Sequence, residues 1–374
     1  MFFTISKTPD TRFTNHAPLG IWWFSYDMGW TQSDNNQVWY KGYCSTLLNH
    51  GNFTRISIND DVIELEHDLE RSYPLWWDES TSTLTNLLGT GRSIWVDTQI
   101  KLTTDGIIET KVDPIGTIDF NNLTVSQAVE EICQNLKNKT IELQQYNTNI
   151  PRCLFVSGGI DTLTLMSLIK NTDTTCDILD YEHFEYDQFT NQNLINIQNS
   201  HWAYKQIHHW HDKTMLISGA CGDEFLFRGP CVIALWAAWH SIDLAKTLET
   251  ASGYHVGYFR KEANLTVIRD HWARRSAIKS LYPTKQDLIR QILNINVNDH
   301  QHWHLGNTLT WTPFKDLTLT KILMSLSESD LLDHVLDATV NKQVINSLWP
   351  NALQLLSTTK NLNSRQHLHN LYNV

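Results

Sequence analysis

Residues 36 to 112 alternate in short bursts. "NQVWYKGYCSTL", "FTRISIND", "VIELEHDL", "SIWVDTQIKLT" and "GIIETKV" are aromatic or β-branched and partly apolar at every second position. That pattern predicts strands with one buried face. Asn59-Asp60-Asp61 and Asp105-Gly106 stand between such runs as turn signals. Residues 1–118 therefore read as a smaller, antiparallel, meander-like β-rich domain.

The period changes near Pro114-Ile115-Gly116. Val125, Ala128, Val129, Ile132 and Leu136 fall at helical spacing, predicting a helix over 124–137, with Ser126 and Glu130 as a loose start signal. Then come a strand at "RCLFV", a helix to about Lys170, a strand at "CDILDYEHF", a polar helix to about Trp210, a strand at "TMLIS", and further helices. Strand–helix alternation predicts a parallel sheet with crossover helices, so 119–374 reads as a Rossmann-like α/β domain. The chain as a whole is α/β and α+β, divided near residue 119.

Composition narrows the function classes. Hydrophobic residues are 41% and charged residues 18% of the 374, which suits a globular chain with room for two cores. The net charge is −11, and the sequence has no basic stripe of the kind a nucleic-acid backbone demands. Nucleic acid is thus an unfavoured partner. Cys44, Cys133, Cys153, Cys176, Cys221 and Cys231 form no CxxC pair, so neither a zinc ribbon nor a thioredoxin motif is expected. The start "MFFTISKTPDTRF" has no signal-peptide apolar region, and no window approaches 18 uncharged apolar residues. These features predict a cytoplasmic protein with free thiols and no membrane span.

The candidate chemistry lies in two loops. In "CLFVSGGIDTLTLMSLI" an apolar strand stops at Ser157-Gly158-Gly159, and a helix follows with Asp161 and Thr162 in its first turn. Paired glycines allow close backbone approach, and the amides with the helix start make a nest for an anion. Asp161 would repel phosphate unless a Mg²⁺ bridges the two. A tight turn with Asp161 as a helix-start carboxylate accounts for the same residues. In "MLISGACGDEFLFRG" a second strand ends at Ser218-Gly219, followed by Gly222-Asp223-Glu224. Ligands of parallel sheets bind beyond the carboxyl ends of strands. Ser218 and Gly219 are placed to meet a nucleotide, and Asp223 to share the Mg²⁺ with Asp161. A charged helix start is the plainer account of Asp223-Glu224.

Strand–Ser-Gly-Gly-x-Asp-Thr followed by strand–Ser-Gly-x-x-x-Asp-Glu resembles the synthetase domain of the asparagine synthetase-like family, a branch of the PP-loop ATP pyrophosphatases. "WTPFKDLTLTKILMSLS" is similar to that family's Pro-Phe-x-Asp helix start, at Pro313, Phe314 and Asp316. "HDLERSYPLWW" resembles its amidotransferase segment, at Asp68, Pro74, Leu75, Trp76 and Trp77. The resemblance implies an Ntn-type amidotransferase-like domain ahead of the PP-loop domain. It implies ATP-dependent, AMP-forming amide synthesis with ATP and Mg²⁺. Ser157, Gly158, Gly159, Asp161 and Thr162 would hold pyrophosphate and metal. Ser218 and Gly219 would contact AMP, Phe155, Ile178 and Leu179 would line the adenine, and Asp223 would hold Mg²⁺. Lys360, at the end of "LWPNALQLLSTTK", would meet the pyrophosphate. The implied partners are a small-molecule carboxylate such as aspartate and ammonia or an amine, with a separate glutaminase and a homodimer left open.

Three departures qualify this expectation. Phe2 follows Met1 where glutamine-using members carry a nucleophilic Cys, so the amidotransferase-like domain is expected to be degenerate and without glutaminase activity. Ala220 and Cys221 stand where the family places a Glu after Ser-Gly. Leu309 and Trp311 replace a Glu and an Arg before Pro313, so the acid substrate need not be aspartate. The His clusters at 201–211 and 300–304 lack ligand spacing and are expected to be helix or loop histidines. The Trp pairs at 22–23 and 76–77 are expected in a core or interface.

Overall fold

The structure is a computed structural model that describes residues 3–26, 30–32, 38–44, 51–59, 62–67, 75–86, 91–95, 98–111, 115, 119–145, 151–156, 159–180, 215–219, 222–299 and 309–355. It divides into two compact units. One takes in 1–114, with 215–216, 297–299 and 309–311. The other begins at 115 and carries the remainder.

The first unit contains two six-stranded sheets. The first is built from β1 (Phe3–Ser6), β2 (Asn15–Leu19), β3 (Trp22–Tyr26), β8 (Trp76–Asp78), β9 (Thr83–Thr85) and β10 (Arg92–Ser93), in the order β10-β8-β9-β1-β3-β2. The second holds β4 (Thr31–Gln32), β5 (Val38–Cys44), β6 (Gly51–Asn59), β7 (Val62–His67), β11 (Thr98–Thr103) and β12 (Gly106–Lys111), in the order β12-β11-β7-β6-β5-β4. The pairings are antiparallel, for instance Phe3 opposite Tyr26 and Ile56 opposite Leu65. Phe3, Ile5, Trp22, Phe24 and Leu84 from one sheet join Trp39, Ile56, Ile63, Leu65, Ile100 and Leu102 from the other in one core. The Phe24 and Trp39 rings, one from each sheet, lie 5.8 Å apart edge to face. Trp22 and Trp77 sit in this core with ring centroids 6.4 Å apart.

Two expectations need correction here. The single strand over 93–103 is two strands in different sheets, β10 and β11. Strands β1 and β3 escaped the alternation pattern because β1 is buried at every position and Trp22–Tyr26 nearly so. A strand covered on both faces shows no period of two.

The second unit is mostly helical. Helix α1 (Val125–Gln145) runs eight residues beyond the predicted end at 137. Its start is a capping box of Thr124 and Gln127, not Ser126 and Glu130. The Thr124 N–H donates to Gln127 Oε1 at 3.0 Å, and the Gln127 N–H to Thr124 Oγ1 at 3.3 Å. Strand β13 (Arg152–Val156) pairs in parallel with β14 (Asp177–Asp180), Leu154 opposite Ile178 and Phe155 opposite Leu179. These two strands form one parallel pair of the sheet expected over 119–374. Between its strands runs α2 (Ile160–Asn171), buried along nearly its whole length. The predicted helix to Trp210 and both His clusters lie outside the described residues.

After β15 (Met215–Ile217) come the one-turn α3 (Gly222–Phe225) and α4 (Pro230–Trp239). Helix α4, "PCVIALWAAW", is apolar all round and buried from Val232 to Ala238, as a central helix must be. Next are α5 (Leu244–Thr250), α6 (Val256–Phe259), α7 (Glu262–Ala273), α8 (Arg275–Leu281) and α9 (Lys285–Asp299). The chain closes with α10 (Leu317–Met324), α11 (Glu328–Asp337) and α12 (Thr339–Leu348). Asp316 caps α10, accepting from the Thr318 N–H at 2.7 Å, and pairs with the buried Lys139 Nζ of α1 at 2.6 Å. The Pro-Phe-x-Asp sequence thus serves as a helix start. Among the described residues no single helix is long and apolar enough to cross a membrane.

Candidate functional site

The two Ser-Gly loops meet within the second unit. Gly159 is the N-cap of α2 in extended conformation, with no side-chain cap. Asp161 and Thr162 follow in the first turn. Gly219 and Gly222 bring the backbone of the second loop against them. A Cβ on Gly219 would lie 3.2 Å from Asp161 Cβ and 3.3 Å from Thr162 Cγ2. A Cβ on Gly222 would lie 2.5 Å from both Cγ and Oδ1 of Asp161. No side chain fits at 222 without displacing the carboxylate, so glycine there is a packing requirement.

Between the acids stands a residue that sequence reasoning passed over. Arg228 Nη2 donates to Asp161 Oδ1 and lies 3.2 Å from Asp223 Oδ1. The Arg228 side chain is fully buried, while those of Asp161 and Asp223 are 18% and 49% exposed. The chain reaches this arrangement through a tight turn after α3. Phe227 adopts a left-handed φ of 57°, unusual for an aromatic residue. The N–H groups of Arg228 and Gly229 both donate to the Asp223 carbonyl, at 2.5 and 2.6 Å. Thr320 Oγ1 donates to the Phe225 carbonyl at 3.2 Å, and His334 Nε2 to the Leu226 carbonyl at 2.7 Å. Buried groups on α10 and α11 therefore fix the turn that aims Arg228. The signal was present in "FLFRGP": a lone cation inside an apolar run.

Electrostatics follow from burial. The Asp161 carboxyl is pushed up to about 7. Burial is the chief cause, with Arg228 opposing it and Asp223 and Glu224 adding to it. Burial works against the Arg228 charge, yet Asp161 and Asp223 outweigh it and raise that pKa. Burial also lowers His334 to about 4 and His255 to about 3, so both are neutral at pH 7. His334 carries its proton on Nε2, because Nδ1 accepts from the Val340 N–H at 3.2 Å. Tyr254, beside His255, is pushed up to about 12, again mainly by burial.

The remaining predicted residues divide as follows. Ser218 is buried at the end of β15, next to Gly219. Thr162 is buried, and its hydroxyl donates to the Gly159 carbonyl at 3.0 Å. Phe155, Ile178 and Leu179 lie on the parallel strands β13 and β14. Ser157, Gly158, Ala220, Cys221 and Lys360 lie outside the described residues. The described cysteines Cys133, Cys153, Cys176 and Cys231 are free thiols.

Asp161 and Asp223 converge on Arg228 Nη2, a resident cation in the place a metal shared by the two carboxylates would take. Among the described residues no three His, Cys, Asp or Glu side chains gather as a self-sufficient metal site. No family model matches the chain, and no curated protein shows significant similarity to it.

Proposed function

We propose that the chain is an ATP-dependent, AMP-forming ligase, an asparagine synthetase-like PP-loop enzyme with a degenerate Ntn-type N-terminal domain. One observation carries the reading. Two loops some sixty residues apart, each a strand end with Ser-Gly and an acid, are packed so closely that Gly222 touches Asp161 and both acids reach Arg228. Acids presented at neighbouring strand ends lie where parallel sheets take their ligands, which supports a shared ligand there.

In this reading a carboxylate substrate attacks the α-phosphate of ATP and pyrophosphate leaves. Ammonia or an amine then displaces AMP from the acyl-adenylate. Mg²⁺, when bound, neutralises the leaving pyrophosphate. Asp161 and Asp223 are the residues that would hold it. Both contact Arg228, and Asp223, half exposed, is the more accessible of the two to an incoming ion. The amides after Ser157-Gly158-Gly159 receive phosphate oxygens, and Ser218 and Gly219 lie along the nucleotide. Phe155, Ile178 and Leu179 line the adenine, and Lys360 meets the pyrophosphate. Nitrogen comes as free ammonia or an amine, from a separate glutaminase if from glutamine at all. The acid is aspartate-like, with a more specialised substrate following from Leu309 and Trp311.

The experiment is carboxylate-dependent exchange of labelled pyrophosphate into ATP across a panel of acids. Exchange with at least one acid supports adenylation. A second reading, nucleotide binding without chemistry, is favoured by the guanidinium that already occupies both acids. It predicts ATP binding with no exchange for any acid.

A further inference from the structure

We propose that Arg228 is an oxyanion receptor, the resident cation that takes a phosphoryl or carboxylate group of the ligand directly. Its Nη2 serves Asp161 and Asp223, but Nε and Nη1 are buried with no hydrogen-bond partner among the described residues. Nε carries one N–H and Nη1 two, so three of the five guanidinium donors are unsatisfied. A buried cation with most of its donors idle is not what a purely structural ion pair leaves behind. The other buried unpaired donors, such as the Trp22 and Trp77 indoles and the Asn341 amide, are neutral groups. His255 adds a second observation in the same neighbourhood. Its Nε2 is also buried without a partner, and Arg228 is close enough to depress its pKa further.

The placement is built rather than incidental. Phe227 holds a left-handed conformation, and Thr320 and His334 secure the two carbonyls before it, so the guanidinium cannot swing to solvent without breaking buried bonds. A planar guanidinium matches a two-oxygen anion in geometry and remains charged when buried. Asp223 competes with such a ligand for Nη2, and its exposure leaves it the acid that gives way. This role deepens the nucleotide reading above and rests on it for choosing pyrophosphate as the first probe.

The test is calorimetric titration of the intact protein with pyrophosphate, inorganic phosphate and aspartate in EDTA. Wild type is expected to bind pyrophosphate without a divalent metal. Arg228→Gln, shown folded by its melting transition, should bind it at least about tenfold more weakly. Asp223→Asn removes the competitor and should tighten binding by about threefold or more. If Asp223 acted only as a metal ligand, that variant would leave metal-free affinity unchanged. Aspartate binding that depends on Arg228 would keep the receptor and identify the carboxylate as its ligand. Equal affinity in wild type and folded Arg228→Gln overturns the proposal, as does absence of binding by all three probes in EDTA. Should Arg228→Gln fail to fold, unchanged affinity in Asp223→Asn overturns it. AMP formation that persists without Arg228-dependent binding rejects this role alone. Arg228-dependent binding without AMP formation rejects the ligase alone.

Discussion

Arg228 donates from Nη2 to Oδ1 of Asp161 across 67 positions of sequence, and the guanidinium is wholly buried. Removing one partner of such a pair strands the other, at about 3–5 kcal/mol when both are fully buried. Asp161 keeps some solvent contact, so Arg228→Met should cost about 2–4 kcal/mol by denaturant unfolding. Asp161→Asn combined with Arg228→Met should cost less than the sum of the single changes, by about 1–3 kcal/mol. Additive single changes would mean that the two side chains are not coupled in solution.

Gly222 is where the second loop leans on the first. Gly222→Ala places a Cβ 2.5 Å from the Asp161 carboxylate carbon, so the acid must shift and the Arg228 pair with it. Pyrophosphate and ATP binding should fall by about tenfold or more, since misplacing a charged partner by roughly an ångström is that costly. Gly257→Ala is the control, because a Cβ there meets nothing within 4 Å. Calorimetry on both variants decides it, and equal binding would show that the loops do not depend on this contact.

Acid stability should report the buried histidines. His334 and His255 have folded pKa values near 4 and 3, below the unfolded value of about 6.5. The unfolded chain therefore takes up protons that the folded chain refuses. Their contribution is complete above about pH 6.5 and is lost as pH falls toward 4, at about 1.4 kcal/mol per pH unit for each histidine. Asp161 has the opposite sign, because its raised pKa means the folded chain holds more protons between about 4 and 7. Comparison with His334→Gln separates them: the variant should lose about one histidine's worth of slope over pH 4–6.5. Chemical denaturation at several pH values measures this, and an unchanged slope would mean that His334 is accessible to protons in the folded state.

Much of this was legible in the sequence where periodicity and chain order suffice. The strands over 38–67 and 98–111, helix α2 and the pairing of β13 with β14 follow from alternation, glycine stops and apolar spacing. Strands β1 and β3 were not legible, because burial on both faces erases the alternation that marks a strand. The site divides the same way. Asp161 and Asp223 stand out beside glycines, and each loop could be read alone. Arg228 stood out only as a lone cation in an apolar run, and its role depends on a left-handed Phe227 and on carbonyls held by Thr320 and His334, far along the chain. Local sequence carries no trace of such partners. Asp316 is the reverse case. It was marked by a motif, yet its carboxylate is taken up by Lys139, Asn135 and the Thr318 N–H.

The most direct measurement is release of AMP and pyrophosphate from Mg-ATP with aspartate and ammonium, in wild type and in Asp161→Ala. The proposed ligase predicts equal amounts of both products, dependent on the acid and lost in the variant. Intact ATP binding with no AMP from aspartate or any other acid tried would contradict it.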